Sequence, residues 1–224
     1  MSFTERWNLI QGELQAFQNA KLIAVSKSQP IERILEAYEL GQRDFGENYV
    51  QELLEKARFC HERGLNDIRW HFIGHLQTNK VKALAPIVSA VHSVDSIRVA
   101  QELSKRWLAL GKTEKLSVFL EVNVEAEPSK SGFSPEGLLE ALPQFMSLAG
   151  LDWRGLMAVP SREGGRSGCA FRQLVALERS CRPLTRGELS MGMSEDYGVA
   201  LREGREASVV WIRLGTALFG ARER

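Results

Sequence analysis

The chain reads as α/β, a single (β/α)8 barrel over residues 1–224 with an extra helix in front. Three observations point there. Eight short, β-rich apolar runs recur along the chain. Each is followed by a helix-patterned segment, and strict alternation of that kind argues for a parallel sheet covered by helices. No linker or break in composition divides the 224 residues, a length at the short end of the usual barrel range. A doubly wound open sheet is the structural alternative. The first strand–helix turn, Lys27-Ser28-Gln29-Pro30, lacks the Gly-x-Gly-x-x-Gly fingerprint, which counts against a dinucleotide-binding version.

The elements follow in order. An amphipathic helix is predicted over Thr4 to Asn19 and the first strand over Leu22 to Ser26. Pro30 opens a helix from Ile31 to Leu40, which Gly41 stops. A strand at Asp44 to Gly46 precedes a helix from Asn48 to Arg63. The third strand is Trp70 to Ile73, with a short helix over Asn79 to Leu84. Ala90 to Ser93 forms the fourth, after which Asp95 or Ser96 caps a helix running to Leu110. The longest apolar run, Ser117 to Val124, is the fifth strand, and Ser134-Pro135 starts the next helix with proline in its first turn. Trp153 to Ala158 is the sixth strand. The Gly-, Ser- and Arg-rich stretch Ser161 to Gly168 reads as a mobile loop before a helix ending near Ser180. Glu188 to Met191 and Val209 to Arg213 are the last strands, followed by helices over Asp196 to Glu203 and Thr216 to Phe219.

Bulk properties exclude several classes. The formal charge is +1, with acids and bases intermixed, so no global field favours nucleic acid or an anionic membrane. Cys60, Cys169 and Cys181 are odd in number and widely spaced, which suggests neither a zinc site nor a disulfide framework. No apolar stretch nears the roughly 18 residues of a membrane helix, and the N-terminus is no signal peptide. A cytoplasmic, soluble protein is expected.

In a β/α barrel the reactive residues lie at the C-terminal ends of the strands. Lys27 ends the first strand, where burial would lower its pKa and make it a nucleophile for aldehydes; a solvated end-cap is the plain alternative. Asn48 follows the second strand. The loops after strands seven and eight form the usual phosphate cradle of this fold. Here they carry Ser190-Met191-Gly192-Met193-Ser194 and Arg213-Leu214-Gly215-Thr216. Gly192 and Gly215 would let the backbone approach an anion, and Ser190, Ser194 and Thr216 offer hydroxyls. Barrel closure sets the eighth strand beside the first. A phosphate there would lie close to Lys27, so one small molecule carrying both an aldehyde and a phosphate would satisfy both ends. His71 and His75 lack helical zinc spacing, so no metal site is expected; His92 reads as core, and Glu121 and Glu125 as structural. No Ser/His/Asp triad is visible.

These motifs, in this order over nearly the whole chain, resemble the pyridoxal 5′-phosphate homeostasis family. The matching stretches are Ala24–Lys27, Asp44–Tyr49, Trp70–Lys80, His92–Ser96, Lys130–Gly132, Gly155–Ala158, Leu189–Ser194 and Arg213–Gly220. The resemblance implies a barrel like the N-terminal domain of alanine racemase, with pyridoxal 5′-phosphate held as a Schiff base on Lys27. It further implies that Ser190, Ser194, Gly215 and Thr216 hold the phosphate, that Arg213 faces the pyridine nitrogen and that Asn48 lies beside the ring. Two stretches depart from the family pattern: Ser28-Gln29-Pro30 stands where Thr-Lys-Pro is common, and Glu195-Asp196-Tyr197-Gly198-Val199 where an acidic pair and an alanine-rich helix are usual. Neither removes an implied contact.

Carrier and catalyst are the two functions to weigh. A racemase needs an acid/base on each face of the cofactor, one of them on a second, C-terminal β domain. With its last barrel helix close to Arg224, this chain is expected to lack that domain. An arginine beside the ring nitrogen also keeps that nitrogen unprotonated and weakens the electron sink of many such enzymes. The reading is therefore a homeostasis protein without catalytic residues, a monomer that buffers the cofactor or delivers it to apo-enzymes. A pyridoxal-phosphate-dependent amino-acid racemase is the alternative. A Schiff-base lysine barrel acting on a sugar phosphate is a more remote third.

Overall fold

The computed structural model describes residues 1–161 and 167–221. Its strands are β1 (Ala20–Val25), β2 (Asp44–Glu47), β3 (Arg69–Phe72), β4 (Ala90–Val94), β5 (Leu116–Glu121), β6 (Leu151–Met157), β7 (Glu188–Ser190) and β8 (Val209–Leu214). The helices are α1 (Phe3–Leu14), α2 (Ile31–Glu39), α3 (Val50–Glu62), α4 (Val81–Leu84), α5 (Ile97–Ala109), α6 (Pro135–Met146), α7 (Ser167–Ser180), α8 (Tyr197–Glu203) and α9 (Thr216–Phe219). A 3₁₀ turn over Thr78–Lys80 leads into α4. Every neighbouring strand pair is parallel, and β8 closes on β1 with Ile23 opposite Arg213 and Ala24 opposite Leu214. The barrel expected from the alternating pattern is therefore the one formed.

Closure follows from side-chain alternation. One inward cluster contains Ile23, Phe119, Met157 and Trp211. Their sequence neighbours Leu22, Ala24, Val118, Leu120, Leu156, Val210 and Ile212 belong to the larger core between sheet and helices. The period of two thus splits each strand between two apolar layers, as strands covered on both faces require. Gly155 permits close packing at the β6–β7 seam, since a Cβ there would fall 1.7 Å from the Glu188 carbonyl oxygen.

Boundaries shifted where tertiary contacts intervene. Ser2 caps α1 in a reciprocal capping box with Glu5. This helix ends at Leu14 rather than Asn19. Asn19 instead donates from Nδ2 to the carbonyls of Gly204 and Ala207, tying the first strand's entry to the β8 side. β5 stops at Glu121, short of the expected Val124, because Asn123 closes a turn with both backbone groups of Glu127. Ser96, not Asp95, caps α5, and Ser134 caps α6 with Pro135 in its first turn. Within the expected Ser161–Gly168 loop, residues 162–166 lie outside the described residues, while Ser167 and Gly168 begin α7. Among the described residues, no helix is long and apolar enough to cross a membrane, and no group of three or more His, Cys, Asp or Glu could hold a metal ion.

Candidate functional site

At the C-terminal mouth of the barrel a cleft of about 880 Å³ gathers residues from most of the strand ends. Lys27 enters from β1, Asn48 and Tyr49 from β2, and Ile73 from β3. The turn after β6 brings Pro160 and Ser161, the one after β7 Met193, Ser194 and Asp196, and β8 brings Arg213, Gly215 and Thr216. Six of the eight residues singled out in the sequence thus line one cleft.

Lys27 is half-buried on a turn held from both sides. The backbone N–H of Ser28 donates to Glu52 Oε1 at 2.6 Å, and Lys56 Nζ donates to the Ser26 carbonyl at 2.6 Å. Beneath the turn, Lys56 Nζ also reaches Glu47 Oε1 at 2.8 Å and Glu52 Oε1 at 2.5 Å, while the Ser26 hydroxyl donates to Glu47 Oε1 at 2.7 Å. Burial raises the Glu47 pKa against the opposing pull of Lys56. Ser28 sits at φ 56°, a left-handed conformation uncommon for a residue with a side chain.

Asn48 is placed by a glycine on the neighbouring strand end. A Cβ on Gly74 would fall 2.2 Å from the Asn48 carbonyl oxygen, so only glycine lets the two segments pack. The Asn48 Oδ1 atom is buried and, among the described residues, has no hydrogen-bond partner.

Across the cleft, the loop after β7 and the start of α9 meet. Ser194 Oγ accepts from the Ala217 N–H at 3.0 Å and fixes the loop to the helix start. Gly215 packs against the end of β1, and its Cβ position has nothing nearer than the Val25 carbonyl oxygen at 3.6 Å. Thr216 is exposed beside it. The Ala217 N–H is taken by Ser194 and the Leu218 N–H by the Gly215 carbonyl, so what this corner offers an anion is the uncrowded backbone at Gly215 and the exposed Thr216 hydroxyl.

Ser190, expected to offer its hydroxyl to a phosphate, and Gly192, expected to let the backbone approach an anion, are both buried and lie behind the cleft lining. The Ser190 hydroxyl is buried between His92 Nδ1 and Arg213 Nη1, each at 2.8 Å. Gly192 is a packing glycine at φ 89°, where a Cβ would fall 2.6 Å from Ala200 Cβ; its carbonyl accepts from the Arg213 N–H at 2.9 Å. Both sit behind the wall and hold Arg213. Arg213 itself also donates from Nη2 to the Ala158 carbonyl at 3.0 Å. Burial lowers its pKa to about 10, still far above neutrality, so the guanidinium stays charged.

Glu121 at the end of β5, expected to be merely structural, has its pKa raised to about 7 by burial and by the nearby Asp95 carboxylate. His71 and His92 are both core residues and hydrogen-bonded to each other at 2.9 Å. Their sequence signal was a polar residue interrupting an apolar strand, as in Trp70-His71-Phe72 and Val91-His92. The Glu47–Lys56–Glu52 cluster had no comparable signal.

A half-buried lysine, a charged arginine and the Gly215–Thr216 corner meet at one barrel mouth, a set that a small anionic carbonyl compound would satisfy. Residues 2–223 match the family described as alanine racemase, N-terminal domain. A pyridoxal phosphate homeostasis protein of Pseudomonas aeruginosa is 44% identical over 204 residues, 90% of this chain and 84% of that one. Its counterpart in Mus musculus is 38% identical, over 94% of this chain and 80% of that one. The structure of PipY from Synechococcus elongatus with PLP bound superposes with a TM-score of 0.88 at 36% identity, covering 98% of this chain and all of that one. This chain belongs to the pyridoxal phosphate homeostasis family of alanine-racemase-like barrels.

Proposed function

We propose that this protein binds pyridoxal 5′-phosphate and serves its homeostasis, buffering the cofactor or delivering it to apo-enzymes, without catalysing a reaction of its own. The observation that carries the reading is the meeting of Lys27, Arg213 and the Gly215–Thr216 corner in one cleft, in a chain 36% identical to a protein solved with PLP bound. The residues present fit that group. The Asn48 Oδ1, without a hydrogen-bond partner among the described residues, offers a buried acceptor at the cleft wall. Ser194, Gly215 and Thr216 would hold the phosphate, and Arg213, held from behind by Ser190 and Gly192, would face the ring nitrogen. The Lys27 amine would condense with the aldehyde, releasing one water and leaving a reversible Schiff base.

Bound, the cofactor supplies a carbonyl that can be held and released. Arg213 supports holding over catalysis, because a guanidinium that stays charged keeps a facing ring nitrogen unprotonated. The relatives' names point the same way. The three cysteines are free thiols, which suits a reducing compartment, and we place the protein in the cytoplasm as a monomer.

The test is spectroscopic. Protein reconstituted with pyridoxal 5′-phosphate should show a visible absorption band that Lys27→Ala abolishes, and it should transfer cofactor to an apo-enzyme. A protein that stays colourless under reconstitution would sink the cofactor reading, and robust turnover of an amino acid would sink the carrier reading.

A further inference from the structure

One set of polar groups runs from the surface at the start of β3 through the barrel core and ends on Arg213 at the cleft. Arg69, whose side chain is 54% exposed at the start of β3, donates to both carboxylate oxygens of Asp44 at 2.6 Å. Asp44 Oδ1 lies 2.9 Å from His71 Nε2, and His71 Nδ1 lies 2.9 Å from His92 Nε2. His92 Nδ1 is 2.8 Å from Ser190 Oγ, which accepts from Arg213 Nη1. The rings are held by aromatic neighbours: His92 stacks on Phe119 with centroids 4.3 Å apart, and His71 tilts against Trp211 at 5.1 Å.

Donor and acceptor counting gives this chain a direction. Asp44 is ionised and only accepts; arginine only donates. His71 Nε2 therefore carries a proton. With both rings neutral, His71 Nδ1 accepts from His92 Nε2–H, His92 Nδ1 accepts the Ser190 hydroxyl proton, and the Ser190 oxygen is left to accept from Arg213. Every group is satisfied and no second cation enters the core. The reverse order would make His71 an imidazolium and would require another acceptor for the Ser190 proton, which no contact among the described residues supplies. Burial keeps His92 neutral in either case.

We infer that Asp44, His71, His92 and Ser190 are positioning residues, a one-directional hydrogen-bond relay through which a carboxylate at the bottom of the barrel orients the Arg213 guanidinium beneath the cleft. The relay stands on the protein alone; its bearing on the ring nitrogen rests on the function proposed above.

The experiment uses full-length, histidine- and arginine-labelled protein without cofactor, read by ¹⁵N NMR. Both buried imidazoles should appear as single neutral tautomers with the proton on Nε2 and a pyridine-type Nδ1. Asp44→Ala should turn His92, two hydrogen bonds away, into a tautomer mixture and speed solvent exchange of the Arg213 side-chain protons roughly tenfold, the loss of about one hydrogen bond's worth of fixation. Arg69→Met breaks the surface ion pair but keeps the carboxylate, and should leave His92 at its wild-type tautomer. A wild-type His92 protonated on Nδ1 overturns the relay, whether or not Asp44→Ala folds. So does an Asp44→Ala variant whose His92 and Arg213 signals match wild type. Pyridoxal 5′-phosphate is then added to the same samples. A shifted visible band in Asp44→Ala supports the link to the ligand, and an unshifted one removes it. Correct tautomers in a wild type that gives no band defeat the cofactor reading and leave the relay standing.

Discussion

Two buried polar networks serve the same cleft by opposite means. Under Lys27, the Glu47–Lys56–Glu52 cluster packs two carboxylates around one ammonium and leaves Glu47 Oε2 without a partner among the described residues. Through the core, the Asp44-to-Arg213 relay keeps its charges at the ends and its middle neutral, with each ring nitrogen paired. The first network grips backbone, the flanks of Lys27; the second grips a side chain, the Arg213 guanidinium. The difference shows how the fold handles buried charge. A concentrated cluster depends on every member, because removing one strands the others, whereas a relay spreads the dependence along its length.

The largest expected effect follows from that contrast. Lys56→Ala would leave Glu47 and Glu52 facing each other with no cation and should cost about 3–5 kcal/mol in urea unfolding. A loss below about 1 kcal/mol would mean the cluster contributes far less than its geometry suggests.

Next comes pH, where the mouth and the core should behave oppositely. Glu121 at the mouth has a folded pKa raised to about 7 by burial and then by Asp95. Folding is therefore favoured below its unfolded pKa and should lose about 3 kcal/mol as pH rises from 4.5 to 7. For Asp44 in the core, burial alone would raise the pKa, but the bonds from Arg69 and His71 outweigh it and hold it at about 2. Its contribution is present above 3.8 and should fade by about 2 kcal/mol as pH falls through 2. Stability curves of Glu121→Gln and Asp44→Asn separate the two windows, each variant flattening only its own limb.

Glycine substitutions come third. Gly74→Ala would drive a Cβ into the Asn48 backbone and should cost about 1–3 kcal/mol. Gly215→Ala meets only ordinary contacts and should leave the midpoint of unfolding nearly unchanged, while weakening phosphate-bearing ligands at the helix start. Equal destabilisation by both would erase the distinction between a packing glycine and a site glycine. The smallest effect belongs to Ser28→Gly, which relieves the left-handed backbone beside Lys27 and should raise stability by up to about 1 kcal/mol. Calorimetry resolves it.

Much of the site was legible because barrel enzymes and carriers place chemistry at strand ends, and strand ends announce themselves locally. Lys27, Asn48, Ser194, Arg213, Gly215 and Thr216 follow apolar runs and line the cleft. Ser190 lies one layer behind the cleft lining. Its position at the end of β7 was right, but whether a hydroxyl faces a ligand or a buried histidine depends on what stands across the barrel. His92 is 98 residues away in the chain. The relay was invisible for the same reason, since Asp44, His71, His92 and Ser190 come from four strands.

By itself, the sequence determined the alternation of strands and helices, their caps, and the residues at each strand end, because these depend on a side-chain period of two or 3.6 and on turn chemistry between near neighbours. Only the tertiary structure decided which of those residues meet. Closing β8 onto β1 brings Arg213 level with Ile23 across 190 positions of chain. Inward-pointing polar groups then either find a partner or remain open to a ligand, and no local pattern carries that outcome.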